Sequence, residues 1–366
     1  MMMLAALLLA ALPPWSEGML DIHQISTGRG NAALCVFPDG TTMLVDAGAA
    51  ADGQPMADTD PRPNASKRVG EWIADYIAKV GVEKLDYAVI THFHADHMGG
   101  IRDVAARVPI GTLIDRGYAY LKPEDAQFRN YEAFAKEHGS EALRVGRNDQ
   151  IVLRRGGGKY PGFEVRNVAA NGVVWTGTGD QTANIFPPLD KLAAEDKPSE
   201  NMCSIGLRIR YGKFDWFTGG DMPGVPDAGA PEWQSVETAV AKAIGPTDVH
   251  VVNHHGSIDP ESAFFLSTLR STVMVLPSWS ATHPSQDALK RMMTQRLYPG
   301  PHDVFATLVR EPAKISIGSR AAQLKADHGH IVIRVAPGGE SYQVFVLDDA
   351  TPERAVLATH GPYVSR

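Results

Sequence analysis

His92 and His94 stand two residues apart, and Asp96 and His97 follow at once, so four metal-ligating side chains arrive within six residues. On extended backbone, side chains two positions apart point to one face, which aims both imidazoles the same way before Asp96 and His97 enter the turn. Imidazole and carboxylate together suit zinc, iron or manganese. Gly99 and Gly100 come next, and a double glycine lets a following helix start close to such a site without side-chain bulk. Three of the 13 histidines fall in this stretch, which makes an incidental polar turn a poor account of it.

Three further segments end in the same chemistry. An apolar run over residues 249–252 delivers His254, His255, Gly256 and Ser257, while Asp46 and Asp221 each follow an apolar run and sit next to glycine. A single such aspartate reads as a turn residue. Four strand ends terminating in His or Asp read instead as one site aimed by a rigid scaffold. Two cations roughly 3.5–4 Å apart can lower the pKa of a shared water, steer its attack and neutralise charge on a phosphoryl or carbonyl oxygen. No Gly-x-Gly-x-x-Gly fingerprint and no Gly-x-x-x-x-Gly-Lys-Ser/Thr loop occurs, which argues against dinucleotide redox chemistry and ATP hydrolysis.

These residues need elements to hold them. Residues 31–37 and 41–45 read as a hairpin about Pro38-Asp39-Gly40, with Asp46 at its end. A Pro-, Asp- and Asn-rich stretch reaching Asn64 is long enough to be a loop over a site. Val69, Trp72, Ile73, Tyr76, Ile77 and Val80 then repeat at helical spacing and Gly81 closes the helix. Residues 85–91 resume as a strand that leads into His92. Strand text returns at 163–168, 172–175, 203–211, 213–218, 249–252, 272–276, 330–335 and 342–347, with helices near 232–244, 262–269 and 286–297. Sheets with interspersed helices predict a layered α/β or α+β domain. Residues 116–160 read as a polar, aromatic insertion, in which Tyr118 and Tyr120 are expected to border a substrate opening.

A chain of 366 residues, 44 % of them hydrophobic, can bury a large core. Its 42 acidic and 35 basic residues leave a net charge of −7, so no positive field advertises a duplex DNA partner. The apolar run from Leu4 to Leu12 falls short of the roughly 20 residues that span a bilayer, so no stable membrane span is expected. It suits a secretory h-region, with Ser16-Glu17-Gly18 offering small residues for cleavage, although no Lys or Arg precedes it. The expectation is a signal peptide over 1–18, an extracytoplasmic or secreted chain, one domain over 19–350 and a tail over 351–366. Cys35 and Cys203 lie in apolar text and read as buried thiols.

With these residues in view, the sequence resembles the metallo-β-lactamase superfamily, Thr91-His-Phe-His-Ala-Asp-His97 standing as its metal-binding signature. More narrowly, Leu44-Val-Asp-Ala-Gly48, Glu200-Asn-Met-Cys-Ser204, Phe217-Thr-Gly-Gly-Asp221 and Val252-Asn-His-His-Gly-Ser257 resemble the hydrolase-like domain of bacterial competence channel proteins and the phosphorylcholine esterases. The resemblance implies an αββα sandwich and a dinuclear hydrolase that uses a metal-bridging hydroxide, with two Zn2+ as cofactors, or Mn2+ or Fe. It implies that His92 and His94 hold the first metal, Asp96 and His97 the second, and that Asp221 lies between them. Where much of the superfamily supplies a further histidine, residues 201–204 contain none. In the esterase-like relatives the second histidine of a His-His-Gly pair fills the gap, which assigns His255 to the first metal and His283 to the second. His254 would face the substrate or orient the water, and Asp46 would hydrogen-bond a ligand imidazole or water. The implied substrate is a phosphodiester or related phosphoester, either a small molecule or a short single-stranded nucleic acid. The same metals could instead act on carboxylic esters, lactones or β-lactams. A non-catalytic binding module keeping the fold would be marked by lost ligands, and His92, His94, Asp96, His97 and Asp221 are all present.

Overall fold

The strand Leu85–Val89 is buried at every position, because parallel neighbours Thr42–Val45 and Ile110–Asp115 flank it and both of its faces are covered. It belongs to a nine-stranded sheet whose order runs Val356–Val364, Ser341–Leu347, His330–Val335, Leu20–Gln24, Ala33–Val36, Thr42–Val45, Leu85–Val89, Ile110–Asp115 and Glu141–Ala142. A second, eight-stranded sheet runs Asp303–Ala306, Val273–Leu276, Val249–Val251, Phe214–Thr218, Gly206–Tyr211, Phe163–Ala170, Val173–Trp175 and Thr182–Asn184. This computed structural model describes residues 10–49, 59–118, 121–226 and 230–366.

The core lies between the sheets, where Ile22, Val45, Val89 and Ile114 meet Leu207, Ile209, Trp216 and Val251. Helices Val69–Lys79, Ile101–Ala105 and Ala126–His138 cover the outer face of the first sheet, packing Ile73, Ile77, Val104 and Phe128 against Leu44, Ala88 and Leu113. Val236–Ile244, Ala263–Leu269, Gln286–Met293 and Glu311–Ile317 cover the second. Two mixed sheets between two helical layers form the expected αββα sandwich.

Local sequence explains most boundaries. In Val69–Lys79 the apolar positions read from the spacing are buried, the Glu71 carboxylate accepts from the Arg68 N–H at 2.9 Å, and Gly81 at φ +87° follows the end. The strand read as 85–91 stops at Val89, and residues 90–94 run on as irregular chain toward the site. Strand text at 203–211 begins only at Gly206, because Asn201–Cys203 coil into a short 3₁₀ turn. The segment read as a tail carries the strand Val356–Val364, which pairs antiparallel with Ser341–Leu347.

Within the insertion, Asp125 caps Ala126–His138 by accepting from the Phe128 N–H at 2.8 Å. Phe128, Tyr131 and Phe134 are buried against the domain, whereas Tyr118 is 43 % exposed. Tyr120 lies outside the described residues, as does the apolar run before residue 10. Residues 10–18 lie against the body, where Arg334 donates to the Pro13 carbonyl and Tyr211 to the Gly18 carbonyl, both at 2.8 Å. Among the described residues no helix is long and apolar enough to cross a membrane. Cys35 and Cys203 are free and buried.

Candidate metal centre

The Asp46, His92, Asp221 and His255 segments all leave their strands at the same end of the sandwich and converge there. Two groups of ligand atoms form: Asp96, His97, Asp221 and His255 in one, and His92, His94 and Asp221 in the other. Asp221 serves both, with Oδ1 3.2 Å from His97 Nε2 and Oδ2 3.7 Å from His92 Nε2.

Backbone packing makes this convergence possible. Gly220, at φ +57°, sits so close to Thr91 that a Cβ would lie 2.9 Å from its Oγ1. A Cβ on Gly100 would lie 2.2 Å from the Ala47 carbonyl oxygen, so the helix after the double glycine abuts the Asp46 turn, as the glycines suggest. Asp46 is fully buried and saturated: Oδ1 accepts from the Thr91 N–H at 2.8 Å, and Oδ2 from Thr91 Oγ1 and Asn31 Nδ2, each at 2.9 Å. Its Oδ2 also meets His97 Nδ1 at 2.7 Å. That contact places a proton on Nδ1 and turns Nε2 into the cluster.

His255 is arranged in the same way. Its Nδ1 lies 3.0 Å from the Pro277 carbonyl, which leaves Nε2 facing Asp96 Oδ2 at 3.1 Å and His97 Nε2 at 3.2 Å. A proton or a metal cation between two imidazole nitrogens at that distance removes the repulsion of their lone pairs. In the other group His92 Nε2 and His94 Nδ1 are 3.1 Å apart. The donor set of ring nitrogens and carboxylates fits a cation in each group, binding there displacing the proton that the carboxylates around His97 favour. Burial and His97 hold the His92 imidazole well below its usual pKa. Burial also opposes charge on His97, but Asp221, Asp46 and Asp96 outweigh it and hold that pKa well above the usual value. Asp221 is held well below the usual carboxylate range by His97, His255 and His254, against the effect of burial.

The paired histidines depart from the sequence expectation. His255 had been assigned to His92 and His94, yet it stands with Asp96 and His97. The reason is local: His254 and His255 both adopt left-handed backbone, at φ 44° and 54°, and the turn they make sends the His255 ring to Pro277. His254 belongs to neither group. Its Nδ1 lies 2.7 Å from Asp259 Oδ1, and its Nε2 lies 3.3 Å from Asn201 Nδ2 and 3.9 Å from Asp221 Oδ2. Its side chain is 26 % exposed against 2 % for His255, so His254 is the solvent-accessible member of the pair. Burial disfavours its imidazolium, but Asp221 and Asp259 carry the pKa up to about 9.

His283 likewise lies in neither group. Its ring stacks on His255 with centroids 5.2 Å apart, its Nδ1 is buried without a partner, and burial with His255 and His254 pushes its pKa down to about 3. Tyr118 stacks on Phe93, the residue between His92 and His94, at 5.6 Å. Asn31, Thr91, Asp259 and Asn201 were given no role by sequence reasoning, although Thr91 opens the signature itself.

Sandwich and donor set together define an αββα protein in which histidines and aspartates form two candidate metal-binding clusters that share Asp221. A family model described as the metallo-beta-lactamase superfamily matches residues 26–258, and the chain belongs to that superfamily. No curated protein matches the sequence. Among solved structures the chain is similar to CmlA, a diiron β-hydroxylase from Streptomyces venezuelae, at 14 % identity and TM-score 0.43, covering 88 % of this chain and 55 % of that one. It is similar to the metallo-β-lactamase fold protein YhfI from Bacillus subtilis at 13 % identity and TM-score 0.42, covering 79 % and 96 %. It is also similar to a diphosphatase from the PhnP family at 11 % identity and TM-score 0.39, covering 87 % and 98 %. The chain spans about half the length of the β-hydroxylase chains it matches.

Proposed function

We propose that the protein is a dinuclear metal-dependent hydrolase of phosphodiesters or related phosphoesters, acting on a small molecule or a short single strand. The observation that carries this reading is Asp221, which belongs to both ligand groups: Oδ1 lies 3.2 Å from His97, and Oδ2 lies between His255 at 3.6 Å and His92 at 3.7 Å. Zn2+ is the assigned ion, with Mn2+ or Fe as the alternatives its ligands accept. When bound, two such cations lower the pKa of a shared water and neutralise charge on a phosphoryl oxygen. The chain's own residues do the rest. Asp46 holds His97 in one tautomer, and Asp259 holds His254 with Nε2 toward the opening, where it contacts the substrate. His283, with Nδ1 unpartnered beside His255, is assigned as the further donor of the Asp96–His97 group. Tyr118 borders the opening. The local likeness of residues 200–204 and 252–257 to competence-protein domains and phosphorylcholine esterases supports phosphorus over carbon as the centre attacked.

The test is turnover of bis-p-nitrophenyl phosphate, phosphorylcholine esters and single-stranded DNA by protein stripped with a chelator and reloaded with Zn2+, Mn2+ or Fe2+. Nitrocefin and simple lactones serve as comparators. Phosphoester turnover lost on stripping and restored on reloading is expected. Turnover of nitrocefin or lactones alone would move the assignment to carbonyl substrates. Metal uptake without any turnover would mean a binding module.

A further inference from the structure

Residues 90–94 carry His92 and His94 on irregular backbone beyond the end of a strand, so no sheet ladder fixes them. The Phe93 N–H, between the two histidines, donates instead to Glu200 Oε1 at 2.8 Å. Arg116 grips that carboxylate with both arms of its guanidinium, Nε to Oε1 at 2.8 Å and Nη2 to Oε2 at 2.7 Å. The Arg116 side chain is 0 % exposed, and its remaining N–H groups reach Asn171 Oδ1 and the carbonyls of Gly117 and Leu121. The same guanidinium lies 4.3 Å from the centre of the Phe93 ring, which Phe128 and Tyr131 also contact.

A buried N–H needs an acceptor, but a backbone carbonyl would satisfy it. A buried ion pair is weak evidence for added stability, because desolvating both charges consumes most of their attraction. What it supplies here is a charged, doubly anchored acceptor at one backbone atom, stronger and more rigid than a neutral one. We propose that Glu200, held by Arg116, is the residue that positions His92 and His94 for their cation by fixing the Phe93 peptide between them. The adjoining Asn201 meets His254 Nε2 at 3.3 Å, so the chain at Glu200 and Asn201 touches both the Phe93 peptide and His254.

This positioning role, which rests on the metal-centre reading, is tested on the full chain by titrating metal-free protein with Zn2+ against a chromophoric chelator. Hydrogen exchange of the Phe93 amide is followed in parallel. Wild-type protein is expected to take up two equivalents. Glu200→Ala should weaken one of them about 10- to 100-fold, affect the other far less and speed Phe93 exchange. Glu200→Gln, which keeps one acceptor oxygen for the Phe93 N–H but loses the charge and one of the two acceptors that Arg116 grips, should recover only part of the lost affinity. If Glu200→Ala does not fold, Glu200→Asp, which keeps the charge at Arg116 but withdraws it from Phe93, should show the same selective loss. Rapid Phe93 exchange with both affinities intact would overturn the proposal while leaving the metal centre standing. So would equal weakening of both sites in step with melting temperature. Failure of the wild-type protein to bind metal would overturn the metal-centre reading, and this role with it.

Discussion

Asp46 Oδ2 lies 2.7 Å from His97 Nδ1, and the same carboxylate takes the Thr91 N–H on its other oxygen. One side chain thus joins the end of a strand to both ends of the ligand-bearing turn. Its loss would free the His97 ring and leave the buried Thr91 N–H without an acceptor. Asp46→Ala is expected to weaken the Asp96–His97–His255 site about 10- to 100-fold in a chelator competition titration. An affinity equal to wild type in folded protein would remove Asp46 from the centre.

The two adjacent histidines should separate in a metal count. His255→Ala is expected to lose about one equivalent, taken from the group containing Asp96 and His97. His254→Ala should keep both and lower kcat on the order of 100-fold, because a group at the opening touches substrate more than metal. Elemental analysis of the purified variants, with circular dichroism as the folding control, decides it. Metal loss from His254→Ala would place that residue among the ligands.

A pH effect is built in beneath the paired histidines. Burial and the neighbouring Glu261 push Glu237 from 4.5 up to about 8, outweighing its bonds from Asn253 and the N–H groups of Ser262 and Glu261. Glu261 in turn meets His250 Nε2 at 3.0 Å. Because the folded chain binds this proton more tightly than the unfolded one, its stabilising effect is complete below 4.5 and is lost as pH rises through about 8. The melting temperature of metal-free protein should therefore fall between about pH 5 and about pH 8, and Glu237→Gln should flatten that slope. Parallel slopes in the two proteins would exclude Glu237 as the source.

Tyr118 is the exposed member of an aromatic group that includes Phe93, Phe128 and Tyr131. Tyr118→Ala is expected to raise KM roughly 2- to 5-fold with kcat and metal content unchanged. Steady-state kinetics on the preferred phosphoester would show this, whereas a lowered melting temperature with unaltered KM would make the ring a packing element.

The sequence made the centre legible where its ligands are contiguous, because His92, His94, Asp96 and His97 lie within six residues and a short irregular segment followed by the one-turn helix Ala95–Met98 brings them together. Asp46, Asp221 and the His254–His255 pair were legible as strand ends. The order within that pair was not, since it depends on left-handed backbone held by distant partners: His254 N–H donates to Gly220 O at 3.1 Å, and Asn253 N–H to Glu261 Oε1 at 3.2 Å. Nor was the strand Leu20–Gln24, whose Asp21 and His23 look solvent-facing. Both are buried, Asp21 against Arg334 at 2.6 Å and His23 against Tyr76 at 3.0 Å, so partners far along the chain hide its polarity. Glu200 was visible as the start of a motif, but its hold on Phe93 was not legible for the same reason, since Arg116 precedes it by 84 residues.

With one oxygen 3.2 Å from His97 and the other 3.7 Å from His92, Asp221 would couple two cations held by these residues. A first ion would fix the rotamer of the carboxylate and remove its conformational freedom, so a second would meet a donor already in place. The second would also lie beside a positive charge that the shared carboxylate only partly offsets. Uptake is then a contest between preorganisation and repulsion. Its outcome is written in the shape of the loading curve, where a half-loaded species either vanishes or persists as metal is added.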